Sequence, residues 1–212
     1  MKTLGPVYLI RHGETVWNRA ARLQGHKDTP LTMKGIKQAR SLGVALKQTL
    51  QNKSPEFFYS SPIGRAKQTA TIISDIIDFD TRLIKYKPSL KEITFGDWDG
   101  LNMEEILAGY KSSWENRNAD KWRASPPNGE SYQMAQIRVM NFLSEVANKK
   151  NVVVVAHGSL NKVIRGFWCN LSETEILSLD EPQDGFYCLT QNNSECFIPT
   201  QSDSTGKIEP LN

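Results

Sequence analysis

Cysteine is scarce in this 212-residue chain, which has only Cys169, Cys188 and Cys196. Three thiols cannot all pair, and they form no Cys-x-x-Cys metal pattern. That usage suits a reducing cytoplasm. Long apolar runs are missing as well. The amino-terminal run Val7-Tyr8-Leu9-Ile10 is far too short for a secretory h-region or a membrane span, so a cytoplasmic chain with no membrane partner is expected. Nor is there a dense basic block. Lys and Arg number 26 against 23 Asp and Glu, a formal net charge of +3. Nucleic-acid binders concentrate such charge on one face or arm; a local pocket for an anionic substrate explains the balance equally well, and no nucleic-acid partner is expected. Histidine is sparse too, at His12, His26 and His157. With no repeat and no dividing linker, the chain is read as a single domain over 1–212.

What is present alternates in period. Val7–Ile10 and Val152–Ala156 are unbroken apolar runs, the pattern of parallel strands covered on both faces. Glu56–Tyr59 is a third strand and Ile84–Lys87 a weaker one. Between them lie helical stretches. Thr32 caps a helix burying Ile36, Ala39, Gly43, Leu46 and Leu50. Ser61-Pro62 is an N-cap followed by proline at the first helical position, opening a helix with Ile63, Ala66, Ala70, Ile73 and Ile77 on one face. Ser131–Asn148 and Leu160–Trp168 are two more. Strand alternating with helix predicts an α/β three-layer sandwich, a mainly parallel sheet with helices on both faces. Gly109–Glu130, with Trp114, Trp122, several basic residues and Pro126-Pro127-Asn128-Gly129, is expected to be an irregular lid. The polar tail beyond Thr200 is expected to fray.

The chemistry gathers at strand ends. The first buried run ends in Arg11-His12-Gly13 and the later one in His157-Gly158. In open α/β sheets ligands bind outside the carboxyl ends of the strands, so both imidazoles face one crevice. The third strand leads into Ser60-Ser61-Pro62-Ile63-Gly64-Arg65, which puts Arg65 in the first turn of the next helix at the same crevice. Guanidinium forks fit phosphate oxygens, and a neutral imidazole is a competent nucleophile. Arg11, Arg65 and a protonated His157 would stabilise the charge of a transferring phosphoryl group. A carboxylic acid of raised pKa would supply the leaving group's proton.

These residues fall into an ordered set. Leu9-Ile10-Arg11-His12-Gly13-Glu14-Thr15-Val16-Trp17-Asn18 is followed by Gln24-Gly25, Asp28-Thr29-Pro30-Leu31-Thr32, Gly35 and Gln38-Ala39. Ser60-Ser61-Pro62, Arg65-Ala66 and Gln68-Thr69-Ala70 come next. Then follow Glu92 with Phe95-Gly96-Asp97-Trp98-Asp99-Gly100, Asn128-Gly129-Glu130-Ser131, and Val155-Ala156-His157-Gly158. The set resembles the histidine phosphatase superfamily, the phosphoglycerate-mutase-like proteins, in order up to about Leu189. The resemblance implies that fold, with His12 as the phosphohistidine and Arg11, Arg65 and His157 as the phosphate clamp. It implies that Asn18 reaches the phosphoryl group or substrate, that Gln24 and Gly25 line the mouth, and that Glu92 is the proton donor and later the base. Gly158, rather than aspartate, after His157 resembles the branch of mutases and small phosphatases, away from the phytase-like acid phosphatases. The partner implied is a small phosphorylated substrate, with no cofactor.

Plainer readings stand beside these. Glu92 competes with Asp97 and Asp99 as the acid. A zinc site needs three or four converging ligands; His12, His26 and His157 are the histidines available, and Arg11 would repel the ion, so no metal is expected. His26 is a loop residue near the entrance and Trp98 a packing anchor. Trp114 and Trp122 are open between a hydrophobic seal and a substrate wall. Lys111, Arg117, Lys121 and Arg123 are most simply a solvated face, with substrate contact the alternative. Against a mutase, the acid is followed by Glu92-Ile93-Thr94-Phe95-Gly96, where mutases carry a Glu-Arg-His-Tyr-Gly-like segment, and their longer insertion is missing. Against a non-catalytic binding module, no member of the clamp has been lost.

Overall fold

A computed structural model describes residues 5–200 of the chain, so the tail expected to fray lies outside the described residues. Strand β1 (Val7–Arg11) pairs in parallel with β4 (Val152–Ala156), β4 with β2 (Phe57–Ser60), and β2 with β3 (Lys85–Tyr86). On the other side of β1, β5 (Gly185–Thr190) and β6 (Ser194–Pro199) add an antiparallel hairpin. The order is β3-β2-β4-β1-β5-β6. The mainly parallel sandwich expected from the sequence is the fold observed.

The unbroken apolar runs feed two cores. Val7, Leu9, Val152 and Val154 face one side with residues of helices α5 (Tyr132–Val146) and α6 (Gly158–Cys169). Tyr8, Ile10, Val153 and Val155 face the other with residues of α2 (Met33–Thr49) and α3 (Gly64–Ile76), which follow the one-turn helix α1 (Val16–Arg19). Val152 to Val155 are all fully buried, each contributing about 1.5–3 kcal/mol of apolar burial. A strand with one solvated face would have needed polar residues at every second position. No described helix is long and apolar enough to cross a membrane.

Several local expectations shift. Thr32 caps α2 as read, its side chain accepting from the Gly35 N–H, but Leu42 is buried on that face while Ile36 is only half-buried. Helix α3 starts at Gly64 rather than Pro62. Strand pairing continues past β2, the Ser61 N–H bonding the Val155 carbonyl, and helical geometry waits until that ladder ends.

The largest correction concerns the expected lid. Residues 109–119 belong to α4 (Met103–Ala119), kinked at Tyr110; only 120–130 is irregular. The missed signal is a capping box: the Asn102 side chain accepts from the Glu105 N–H while Glu105 accepts from the Asn102 N–H. Trp114 packs on the buried Trp98 at 5.5 Å between ring centroids. Trp122 is 3% exposed and stacks on Tyr132, so it belongs to the core.

Candidate active site

Parallel register sets the two histidines side by side. Arg11 is opposite Ala156, the His12 N–H donates to the Ala156 carbonyl at 3.1 Å, and the rings of His12 and His157 stand 5.2 Å apart edge to face. Both are buried, at 3% and 0% exposure.

His12 Nδ1 lies 2.8 Å from the Gly13 carbonyl oxygen. A carbonyl only accepts, so Nδ1 carries the ring proton and Nε2 keeps its lone pair. Arg65 Nε donates to that lone pair at 3.2 Å. Burial first, then the charges of Arg65 and Arg11, hold His12 well below the usual histidine range. Burial and Arg65 do the same to His157, so the imidazole expected to be protonated is held neutral. Its Nε2 meets the Ser61 hydroxyl at 2.8 Å, while its Nδ1 is buried without a partner.

Arg65 is fully buried yet richly bonded. Its Nη1 donates to the Lys27 carbonyl and to Asp28, and its Nη2 to the Gln24 and Gly25 carbonyls. Gln24 and Gly25 thus hold Arg65 in place. The Gln24 side chain is itself spent on Thr15 and Thr29. Arg11 donates to the Glu181 carbonyl through Nη1 and leaves Nε buried and unpaired. Gly158 makes room for it, because a Cβ there would stand 3.3 Å from Arg11 Cζ. Asn18 accepts through Oδ1 from the Thr15 N–H and from Gln183, which also donates to the His12 carbonyl.

Glu92 is 5% exposed. Its carboxylate accepts from the Ile93 and Leu160 N–H groups at 2.9 Å and the Ser159 N–H at 3.1 Å, the last two in the first turn of α6. Its rivals are placed otherwise. Asp99 is occupied by the Gly25 and His26 N–H groups, and Asp97 is exposed, accepting from Asn128. His26 is exposed, with Nε2 3.0 Å from the Glu92 carbonyl. Arg138 pins the same segment, donating to the carbonyls of Ser89, Lys91 and Glu92 and pairing with Glu130 at 2.7 Å.

Lys111 and Arg123 are exposed and paired with acids, as a solvated face should be. Arg117 is not; it is 3% exposed, and Lys121 is half-buried. Residues the sequence reading did not single out are Ser61, Arg138, Glu181 and Gln183. Ser61 stood inside a quoted motif. Arg138 looked like any polar residue of an amphipathic helix, and Glu181 and Gln183 lie in a loop with no signal of their own. Among the described residues, no group of three or more His, Cys, Asp or Glu is arranged to hold a metal ion.

The family model for the histidine phosphatase superfamily (branch 1) matches residues 7–203. A 2,3-bisphosphoglycerate-dependent phosphoglycerate mutase of Bartonella henselae is 33% identical over 204 residues, covering 92% of this chain and 95% of its own. An adenosylcobalamin/alpha-ribazole phosphatase of Escherichia coli is 35% identical over 157 residues, 71% of this chain and 72% of its own. Among solved structures, the alpha-ribazole phosphatase of Shigella flexneri superposes with a TM-score of 0.80 at 25% identity, over 96% of this chain and all of that one.

Proposed function

The chain belongs to the histidine phosphatase superfamily, branch 1, and from that premise we propose that it hydrolyses small phosphomonoesters through a covalent phosphohistidine on His12. One observation carries the reading: the Gly13 carbonyl fixes the proton on His12 Nδ1, so Nε2 is an unprotonated nucleophile facing a guanidinium. Nε2 attacks phosphorus as the ester P–O bond breaks. The departing oxygen takes a proton from the Glu92 carboxyl group. Water then attacks the phosphohistidine, giving its proton back to Glu92, and inorganic phosphate leaves.

The clamp follows from donors without partners. Arg11 Nε and His157 Nδ1 are buried and unpaired, a costly state unless a ligand satisfies them. Arg65 Nε, freed from His12 Nε2 as that nitrogen bonds phosphorus, makes the third nitrogen for the phosphoryl oxygens. His157 donates through Nδ1 while its Nε2 accepts the hydrogen bond of the Ser61 hydroxyl. Preorganised donors of this kind act where charge develops in phosphoryl transfer. No metal or cofactor is part of the scheme.

The second reading is a cofactor-dependent mutase, favoured by the identity to the Bartonella henselae enzyme. Hydrolysis is preferred because the segment after Glu92 lacks the arginine and histidine that line a mutase cavity. The test is incubation with 3-phosphoglycerate and a trace of 2,3-bisphosphoglycerate. Inorganic phosphate should appear faster than 2-phosphoglycerate; rapid interconversion with negligible phosphate release would make the chain a mutase.

A further inference from the structure

Two of the three cysteines meet across the β5–β6 hairpin. Cys188 is the direct partner of Cys196 in the antiparallel register. The loop 191–193 joins the strands, and Asn193 takes the left-handed backbone (φ 53°) that closes a three-residue hairpin turn. A slip of one residue would send the thiols to opposite faces, but side chains on both faces hold the register. On one face the Tyr187 and Phe197 rings lie 5.2 Å apart. On the other, Cys188 and Ile198 pack on the α2–α3 core, and the Thr190 and Ser194 hydroxyls meet at 2.7 Å beside the loop. Directly opposed residues of antiparallel strands have Cα atoms about 4.5 or 5.5 Å apart. A disulfide spans Cα separations of about 4.4–6.8 Å, so either spacing suits one. Cys169 is no competitor, because it ends α6 and packs on the core across the sheet.

The two thiols are unequal. Cys196 is exposed and Cys188 half-buried. Burial, then the neighbouring Cys196, push the Cys188 thiol up to about 11. An oxidant in solution therefore meets Cys196 first, with Cys188 held as a thiol beside it.

We propose that Cys188 and Cys196 form a reversible disulfide that staples β6 to the sheet, made by exchange with a low-molecular-weight disulfide. Cys196 loses its proton and attacks one sulfur of that disulfide, expelling a small thiolate that takes a proton up. Cys188 then does the same to the Cys196 sulfur and expels the second. Two protein thiols are oxidised to one disulfide, and one small disulfide is reduced to two small thiols. Because Cys196 is exposed, the bond stays open to the reverse exchange. In a reducing compartment such a bond is transient, the usual form of a redox-sensing pair. β6 is the outermost strand and pairs with β5 alone. Its Glu195 takes two bonds from Arg165, which also holds Glu181. The staple secures that tie.

The experiment equilibrates the protein with graded mixtures of reduced and oxidised glutathione, then alkylates and maps the thiols by mass spectrometry. Oxidising mixtures should give a Cys188–Cys196 link within one chain, with Cys169 still alkylated, and excess reduced glutathione should reverse it. Amide exchange across Ser194–Pro199 should slow roughly tenfold or more in the oxidised form. Cys196→Ser, at an exposed position, should abolish both the link and the slowing; Cys169→Ser should leave both. Unreacted thiols, a glutathione adduct that persists on Cys196, a bond between two chains, or a link that leaves exchange unchanged overturns the staple.

Discussion

A histidine ring wedged against a backbone carbonyl has one protonation choice, and His12 has made it through Gly13. The same burial that frees Nε2 makes both imidazoles reluctant to take a second proton, since His12 and His157 are held well below the usual histidine pKa by desolvation and by Arg65. Unfolded histidines titrate near pH ~6.5. A folded pKa below that value means the unfolded chain binds protons first, so the stabilisation is complete above ~6.5 and drains away as pH falls toward the folded values. Each histidine should add about 1.4 kcal/mol per pH unit to that slope. Urea unfolding between pH 7 and 5 checks it: His12→Gln and His157→Gln should each flatten the dependence relative to the native protein. Identical slopes in all three would show that the folded and unfolded imidazoles titrate alike.

Helices and strands decide how far those residues are legible in advance. Arg11, His12 and His157 could be read because each stands where an apolar run gives way to polar residues, and parallel strands deliver such points to one edge; Arg65 could be read because it opens the helix that follows the third such strand. Arg138 could not. It acts from the middle of α5 on the carbonyls of Ser89, Lys91 and Glu92, through contacts 46 to 49 residues distant that leave no local pattern. The same limit hid the β5–β6 hairpin, whose outer strand β6 is largely exposed, and the helical nature of α4, whose Trp114 and Gly109 resemble loop composition more than its capping box resembles a start. Arg138 should therefore behave as a positioning residue for Glu92. Arg138→Met and Glu92→Gln are expected to share a signature, slowing alkyl phosphates far more than activated aryl phosphates in the phosphorylation step. The Glu92 loss should be larger, since a general acid typically contributes about 10²–10⁴-fold. An Arg138→Met enzyme slowed equally on both leaving groups would reduce Arg138 to a structural tie.

Across the whole molecule, the site exists because the sheet order interleaves distant segments. Placing β4 between β1 and β2 sets His157 between His12 on one side and Ser61 on the other, and the turn after β2 returns Arg65 to His12. The loop before β5 closes the ring through Glu181, which holds Arg11, and Gln183, which holds the His12 carbonyl. Arg165 anchors that loop to α6 by pairing with Glu181 at 2.6 Å, and also reaches Glu195 on β6. All of this geometry converges on one nitrogen. Mixing the protein with excess substrate, quenching within milliseconds and mapping the label measures it directly. The phosphate should be found on His12, labile in acid and stable in base, and His12→Ala should abolish both trapping and turnover. A label on a serine or aspartate, or turnover surviving in His12→Ala, would contradict the account.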